Sequence, residues 1–272
     1  MPLSAIKKAL LTSAFFIARR NFGLLVSLVL LVATTPAGAD PCLPDHVDEH
    51  VVISAVFDGD TVRLGDGRHV RLIGINAPEL AHDGLAAEPL ADEARQALVA
   101  MLDQAQSIGL RYDTQRHDHY GRTLAQLFID DKQNVQAALV ADGYAAVIAV
   151  PPNLYGQTCL WQQEQLALQQ HRGRWRLARY RPVDVQRLTS DMRGFMIIRG
   201  RVDKVSRTTK SLWLDLGSKL SLRIATQDWH YFDTAAINNL TGKTITARGW
   251  LYSYRNRLRM RLRHPNNLSW QQ

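Results

Sequence analysis

Three short stretches hold residue types that could do chemistry. FDGDT, residues 57–61, sets Asp58 and Asp60 two positions apart around a glycine. On a strand these carboxylates share a face about 6.6 to 7 Å apart, close enough to repel and to favour a cation beside them. Oxygen-only ligation selects a hard ion such as Ca²⁺ or Mg²⁺, although Asp-Gly is also plain turn chemistry. RLIGINAPE, residues 71–79, opens on an arginine and ends on a glutamate. Along a period-2 strand Arg71, Ile73 and Ile75 point one way and Val70, Leu72 and Gly74 the other, so neither face reads as solvated. A buried charge costs several kcal/mol unless something pairs with it, which makes Arg71 a site candidate, with a salt bridge to Asp58 as the alternative. HDHYGR, residues 117–122, adds Asp118, Tyr120 and Arg122. His117 and His119 flank Asp118, but no third ligand at zinc spacing accompanies them and the segment reads as a solvated loop.

These residues must be positioned by the surrounding elements. Residues 51–75 read as three strands, the last two joined by Gly65-Asp66-Gly67, a tight hairpin signal. A helix is predicted over about 88–104, with Leu90, Ala94, Leu98 and Met101 or Leu102 on one stripe. Strands follow near 107–112 and at TLAQLFI, then helices near 135–141, stopping at Gly143, and near 158–170. Residues 171–182, HRGRWRLARYRP, carry five arginines and read as a linker or helix end. After them the pattern is nearly all strand: five short segments with one irregular stretch near 228–239. The fold class is α+β, a small β-barrel with packed helices followed by a second, mostly β, OB-like barrel.

The order DGDT, RLIGINAPE, YGR-x-LA, NVQAALVADGYA along roughly residues 51–175 resembles the staphylococcal nuclease (thermonuclease) family. The resemblance implies a Ca²⁺-dependent phosphodiesterase built on an OB-type barrel. Residue by residue, it implies that Asp60 and the Ala77 carbonyl ligate the metal, that Glu79 is the general base, and that Arg71 and Arg122 bind phosphate. Two departures stand out. Asn76 occupies a position where the family usually has Asp, so one metal-ligand charge is missing. Affinity tracks ligand charge, so weak Ca²⁺ binding is expected, about 10⁻⁴ to 10⁻³ M. VIAVPPN, residues 147–153, has Ala149, Val150 and Pro151 where the family's reference enzyme has nucleotide-contacting tyrosines, leaving Tyr120, Tyr144 or Tyr155 as candidate replacements.

Address and charge add to this. The first 39 residues carry Lys7, Lys8, Arg19 and Arg20, no acidic residue, the apolar run 22–33 and Ala37-Gly38-Ala39. That is a secretory signal with a mature start at Asp40, followed by a periplasmic or secreted chain without a stable membrane anchor. Arg19-Arg20 also allows the twin-arginine route, and an uncleaved anchor is the alternative. The only two cysteines, Cys42 and Cys159, are expected to form one bridge in an oxidising compartment. Residues 40–170 hold 8 basic and 19 acidic residues, whereas 171–272 hold 21 and 6. The basic charge is concentrated, as a polyanion-binding surface would have it.

RLRMRLR, residues 257–263, alternates so that Leu258, Met260 and Leu262 point inward and Arg257, Arg259, Arg261 and Arg263 outward. A hairpin with residues 244–254 turns Arg248, Trp250, Tyr252 and Tyr254 to the same outer face. Guanidinium groups interleaved with aromatics suit single-stranded nucleic acid, with Trp250, Arg257, Arg259 and Arg261 as binding residues beside Tyr120; a charge-protected edge strand is the bland alternative. The expected organisation is a signal over 1–39, a nuclease-like domain over 50–180 and a basic OB-like domain over 190–272. The expected function is DNA or RNA hydrolysis, with a catalytically weak binding module as the alternative.

Overall fold

The apolar alternation of residues 53–72 becomes three antiparallel strands whose inward side chains start the first core. In the computed structural model, which describes residues 42–82 and 84–270, the first half runs β1 (Glu49–His50), β2 (Ile53–Asp58), β3 (Thr61–Leu64), β4 (His69–Leu72), β5 (Ile75–Asn76), α1 (Ala91–Asp103), β6 (Ile108–His117), β7 (Thr123–Ile129), β8 (Gln133–Asn134), α2 (Val135–Ala141), β9 (Ala146–Val147) and α3 (Gln157–Gln169). The sheet order is β1-β6-β7-β4-β3-β2, with β8 on β7. Val62, Leu64, Val70, Leu72, Leu110 and Leu127 meet Leu98 of α1, Leu139 of α2 and Leu160 of α3 in one core. This α+β, OB-type arrangement is the one read from the pattern. Cys42 and Cys159 are disulfide-bonded, tying the segment before β1 to α3 across 117 residues. The signal reading falls on residues 1–39, outside the described residues. Among the described residues no helix is long and apolar enough to cross a membrane.

One strand differs from the period-2 reading. RLIGI is not continuous: β4 ends at Leu72 and β5, paired with β9 rather than with the main sheet, begins at Ile75. Gly74 sits between them at φ +84°, where L side chains are strained, and a Cβ there would lie 2.7 Å from Leu160 Cδ1. From the bend onward Ile75 and Asn76 pair with Val147 and Ala146 instead of the main sheet.

The second half runs β10 (Val183–Asp184), β11 (Gly194–Arg201), β12 (Lys204–Arg207), β13 (Ser211–Leu216), β14 (Leu220–Ala225), α4 (Thr234–Asn238), β15 (Thr244–Tyr254), β16 (Arg257–Leu262) and β17 (Leu268–Trp270). Its sheet is ordered β10-β11-β15-β16-β14-β13-β12, with β17 on β15. β15 and β16 form a hairpin that pairs Tyr252 with Arg259 and Tyr254 with Arg257, while Leu258, Met260 and Leu262 are buried. Residues 171–182 are not a simple linker. They form two 3₁₀ turns, Gly173–Arg176 and Ala178–Tyr180, that bury Arg174, Trp175 and Tyr180. Trp175 then joins Ala146, Ile148 and Ala167 of the first half and Phe195 and Ile197 of β11 in a small shared core. The described residues accordingly form one compact unit.

Candidate active site

The β3–β4 hairpin places Thr61 opposite Arg71, which brings Asp60 beside that arginine. Arg71 Nη1 lies 2.9 Å from Asp60 Oδ2, and the guanidinium also donates to the Leu72 and Ile75 carbonyls at 2.8 and 3.2 Å. Its carboxylate partner is thus Asp60, not Asp58. Asp58 instead accepts the Asp60 N–H at 2.8 Å, closing the turn. Gly59 lets this turn approach closely, since a Cβ there would sit 2.7 Å from Ala77 Cβ and 2.8 Å from Ala94 Cβ. Asp60, 3 % exposed, therefore reaches the Ala77 N–H at 2.7 Å. Burial pushes its carboxyl well up from the usual range, against the pull of the Arg71 guanidinium.

The bend at Gly74 sets Asn76 into the same pocket. Its Nδ2 donates to the Ala77 carbonyl at 3.2 Å, while its buried Oδ1 has no hydrogen-bond partner among the described residues. Among the described residues no three His, Cys, Asp or Glu side chains cluster as metal ligands. The oxygen atoms around this turn are the Asp60 carboxylate, the Asn76 Oδ1 and the Ala77 carbonyl, with the Asp58 and Glu79 carboxylates close enough to raise the Asp60 carboxyl. Glu79 follows at the cleft mouth; its side chain reaches solvent, yet the protein packed around it and the Asp58 charge raise its carboxyl above the ordinary value. A carboxylate shifted that way is closer to the pH at which it can take a proton from water.

Arg122 comes from the turn between β6 and β7. Asp118 accepts the Tyr120 and Arg122 N–H groups, each at 2.9 Å, and Arg122 Nε at 2.8 Å. Burial alone would raise Asp118, but these bonds from Arg122 hold it below the ordinary value. Tyr120, 73 % exposed, lies against the His119 ring, with centroids 3.8 Å apart and planes tilted by 40°. A single cleft of about 640 Å³ is lined by Arg71, Asn76, Glu79, Asp118, Tyr120 and Arg122. Of the candidate tyrosines only Tyr120 faces it; Tyr144 packs on the first core, and Tyr155 donates to the Leu43 carbonyl under the Arg111 guanidinium.

Against known proteins, the family model described as "Staphylococcal nuclease homologue" matches residues 69–177. The "Thermonuclease" of Staphylococcus intermedius is 31% identical over 137 residues, covering 48% of this chain and 80% of that protein. The chain belongs to the staphylococcal nuclease family. As a family member it is a nuclease, a hydrolase. The "Thermonuclease" of Staphylococcus hyicus is 30% identical over 123 residues, 44% of this chain and 72% of that protein. A "Probable endonuclease" of Aspergillus terreus is 46% identical over 61 residues, 22% of this chain and 20% of that protein. The family-model match starts at His69, after Asp58 and Asp60, and ends before the second sheet.

Further residues of this nuclease were missed in the sequence. Arg174, 2 % exposed, donates to the Asn76 carbonyl at 3.1 Å and lies over the Tyr180 ring at 4.0 Å. Burial pushes its guanidinium down to about 10. Glu164, fully buried in α3, accepts the Val147 N–H at 2.7 Å and pairs with Arg248 of β15 at 2.7 Å. The signal for both was faint: one arginine among five, and one glutamate among glutamines. The basic hairpin is also busier than its alternation implied. Arg257 pairs with Asp215 at 3.0 Å and Arg261 with Asp228 at 2.7 Å, whereas Arg259 lies over Trp213 and Tyr254. These three arginines do not line the cleft; Trp250 and Arg263 do.

Proposed function

We propose that this nuclease is an exported, Ca²⁺-dependent endonuclease that hydrolyses phosphodiester bonds of DNA or RNA. The observation that carries the reading is the convergence of Arg71, Glu79 and Arg122 on one cleft beside Asp60. In this reading Glu79 accepts the proton of the attacking water. Arg71 and Arg122 present guanidinium N–H groups to the phosphoryl oxygens, and charge that grows there in the transition state is stabilised more than in the ground state. Asp60, the Asn76 amide oxygen and the Ala77 carbonyl are the residues that would hold Ca²⁺; the unpartnered Asn76 Oδ1 fits an oxygen ligand to a hard ion. When bound, Ca²⁺ supplies positive charge next to the reacting phosphate. Residues 50–180 are assigned to the nuclease domain and 190–272 to a basic OB-like domain that holds the nucleic acid through Trp250, Arg257, Arg259 and Arg261. Export is supported by the Cys42–Cys159 bridge, since disulfides persist in oxidising compartments.

The test is incubation of the purified mature protein with single- and double-stranded DNA and RNA, with Ca²⁺ or with chelator, beside Glu79→Gln. Ca²⁺-dependent cleavage lost in Glu79→Gln is the expected result. Binding without cleavage favours a second reading, a catalytically weak nucleic-acid-binding module, for which Asn76 in place of a carboxylate is the motivating feature.

A further inference from the structure

Trp250 is held in place from behind and open in front. Even positions of β15 share one face. Arg248 on that face is locked by Glu164 and the Val147 carbonyl. Two residues on, the Trp250 ring meets the edge of Phe195, its cross-strand partner, with centroids 5.6 Å apart and planes at 72°. Phe195 is buried in the small core that joins the two halves. The indole is thereby fixed, yet remains 44 % exposed. Trp250 lines the same cleft as Arg71, Glu79 and Arg122, together with Ile148, Val150 and Pro151. Arg263, just past β16, adds a cation to this wall and is braced by the Pro151 carbonyl at 2.5 Å. Beyond the cleft, Tyr252 and Tyr254 continue the exposed row, and the Arg259 guanidinium covers Tyr254 at 4.2 Å.

A large aromatic surface left open in a cleft that also holds the Arg71 and Arg122 guanidinium groups suits stacking on a nucleobase. We propose that the second barrel builds the base-side wall of the catalytic cleft, with Trp250 stacking on a nucleobase next to the phosphodiester held by Arg71 and Arg122. The strand then continues over Tyr252, Tyr254 and Arg259. The proposal rests on the assignment of Arg71, Glu79 and Arg122 as the active site. It names the substrate class as single-stranded nucleic acid. A duplex hides its base faces inside the stack, and a cleft of about 640 Å³ lies in the range that encloses a small ligand such as a nucleotide. Stacking on indole is tolerant of base identity, so little sequence preference follows. The wall lies outside the segment matched by the family model, so an isolated nuclease half would lack it.

The experiment uses the full mature chain with Ca²⁺ and compares wild type, Trp250→Ala, Trp250→Phe and Glu79→Gln. The substrates are a single-stranded oligonucleotide, its duplex, and a strand of equal length whose sugar-phosphate backbone carries no bases. Trp250→Ala is expected to raise KM for the oligonucleotide roughly tenfold or more, with a smaller change in kcat. Trp250→Phe keeps most of the wild-type KM, and both variants cleave the base-free strand like wild type. Unchanged KM on the oligonucleotide overturns the proposal, and so does an equal loss on the base-free strand, which reports a merely structural role. Loss of turnover in Glu79→Gln with an unaffected Trp250→Ala sinks the stacking wall alone. Full activity of Glu79→Gln sinks the active-site reading itself, and the wall with it.

Discussion

Asn76 carries a cost that the protein leaves unbalanced: a buried amide oxygen without a partner forfeits about 1 to 3 kcal/mol. Under the proposed Ca²⁺ reading, a cation there would recover it. Asn76→Asp puts a charge into the same place, near Asp60, and a buried charge without compensation costs several kcal/mol. The metal-free variant should melt below wild type, and Ca²⁺ should raise its melting temperature more than that of wild type and support cleavage at lower concentration. Identical Ca²⁺ titrations of the two proteins, by melting and by activity, would remove Asn76 from the ligand set. The two arginines make a second, separable case. Arg71 is bound to Asp60 and to two carbonyls, whereas Arg122 is held by Asp118 at the cleft edge. Both Ala variants should lose roughly 10²-fold in kcat, by analogy with the loss of one preorganised donor. Only Arg71→Ala should also lose several degrees of melting temperature, and a thermally silent Arg71→Ala contradicts its bracing role.

At the level of elements, the site depends on the bend at Gly74, which local pattern did not reveal. Strands, helices and the hairpin at Gly65-Asp66-Gly67 were legible because periodicity and turn residues act over a few positions. The break at Gly74 was visible as a glycine but overridden by the apolar alternation around it. The roles of Arg174 and Glu164 were not legible, since their partners lie 98 and 84 residues away. Gly74→Ala forces L geometry at φ +84° and pushes a methyl against Leu160. It should cost about 1 to 3 kcal/mol and, by moving Asn76 to Glu79, reduce activity beyond the stability loss. Wild-type turnover at a temperature where the variant is folded would separate the bend from the chemistry. The edge near β1 gives a pH prediction. Hydrogen bonding from Arg68 holds Glu49 low, and hydrogen bonding from Arg111 holds Asp45 low. Depressed folded pKa values mean that this stabilisation is complete above the unfolded carboxylate range and is lost as pH falls below about 4. Amide protection around residues 48–51 should drop in that window before the central strands respond; protection that falls with the whole sheet counts against a local tether.

Across the whole molecule, the acidic first half and the basic second half meet through apolar side chains and one buried ion pair. Ala146, Ile148 and Trp175 pack on Phe195 and Ile197, Asn267 brackets Ala149 with bonds of 3.0 and 2.7 Å, and Arg248 pairs with Glu164. The same face of β15 that makes this joint carries Trp250 into the cleft, so cohesion between the halves and the shape of the site are one structural fact. Such a pair is costly to break on one side, because the remaining charge stays buried: about 3 to 5 kcal/mol for removal of one partner. Replacing both partners by neutral side chains of similar size relieves that penalty. Arg248→Met and Glu164→Gln should each lower stability by an amount of that order, and the double variant should be more stable than the sum of the single losses predicts. Denaturant unfolding of all four proteins measures the coupling. Strict additivity would mean that the pair contributes no shared energy and that the halves are held by their other contacts. With strong coupling, loosening the pair should also raise KM for single strands, since it frees the strand that presents Trp250.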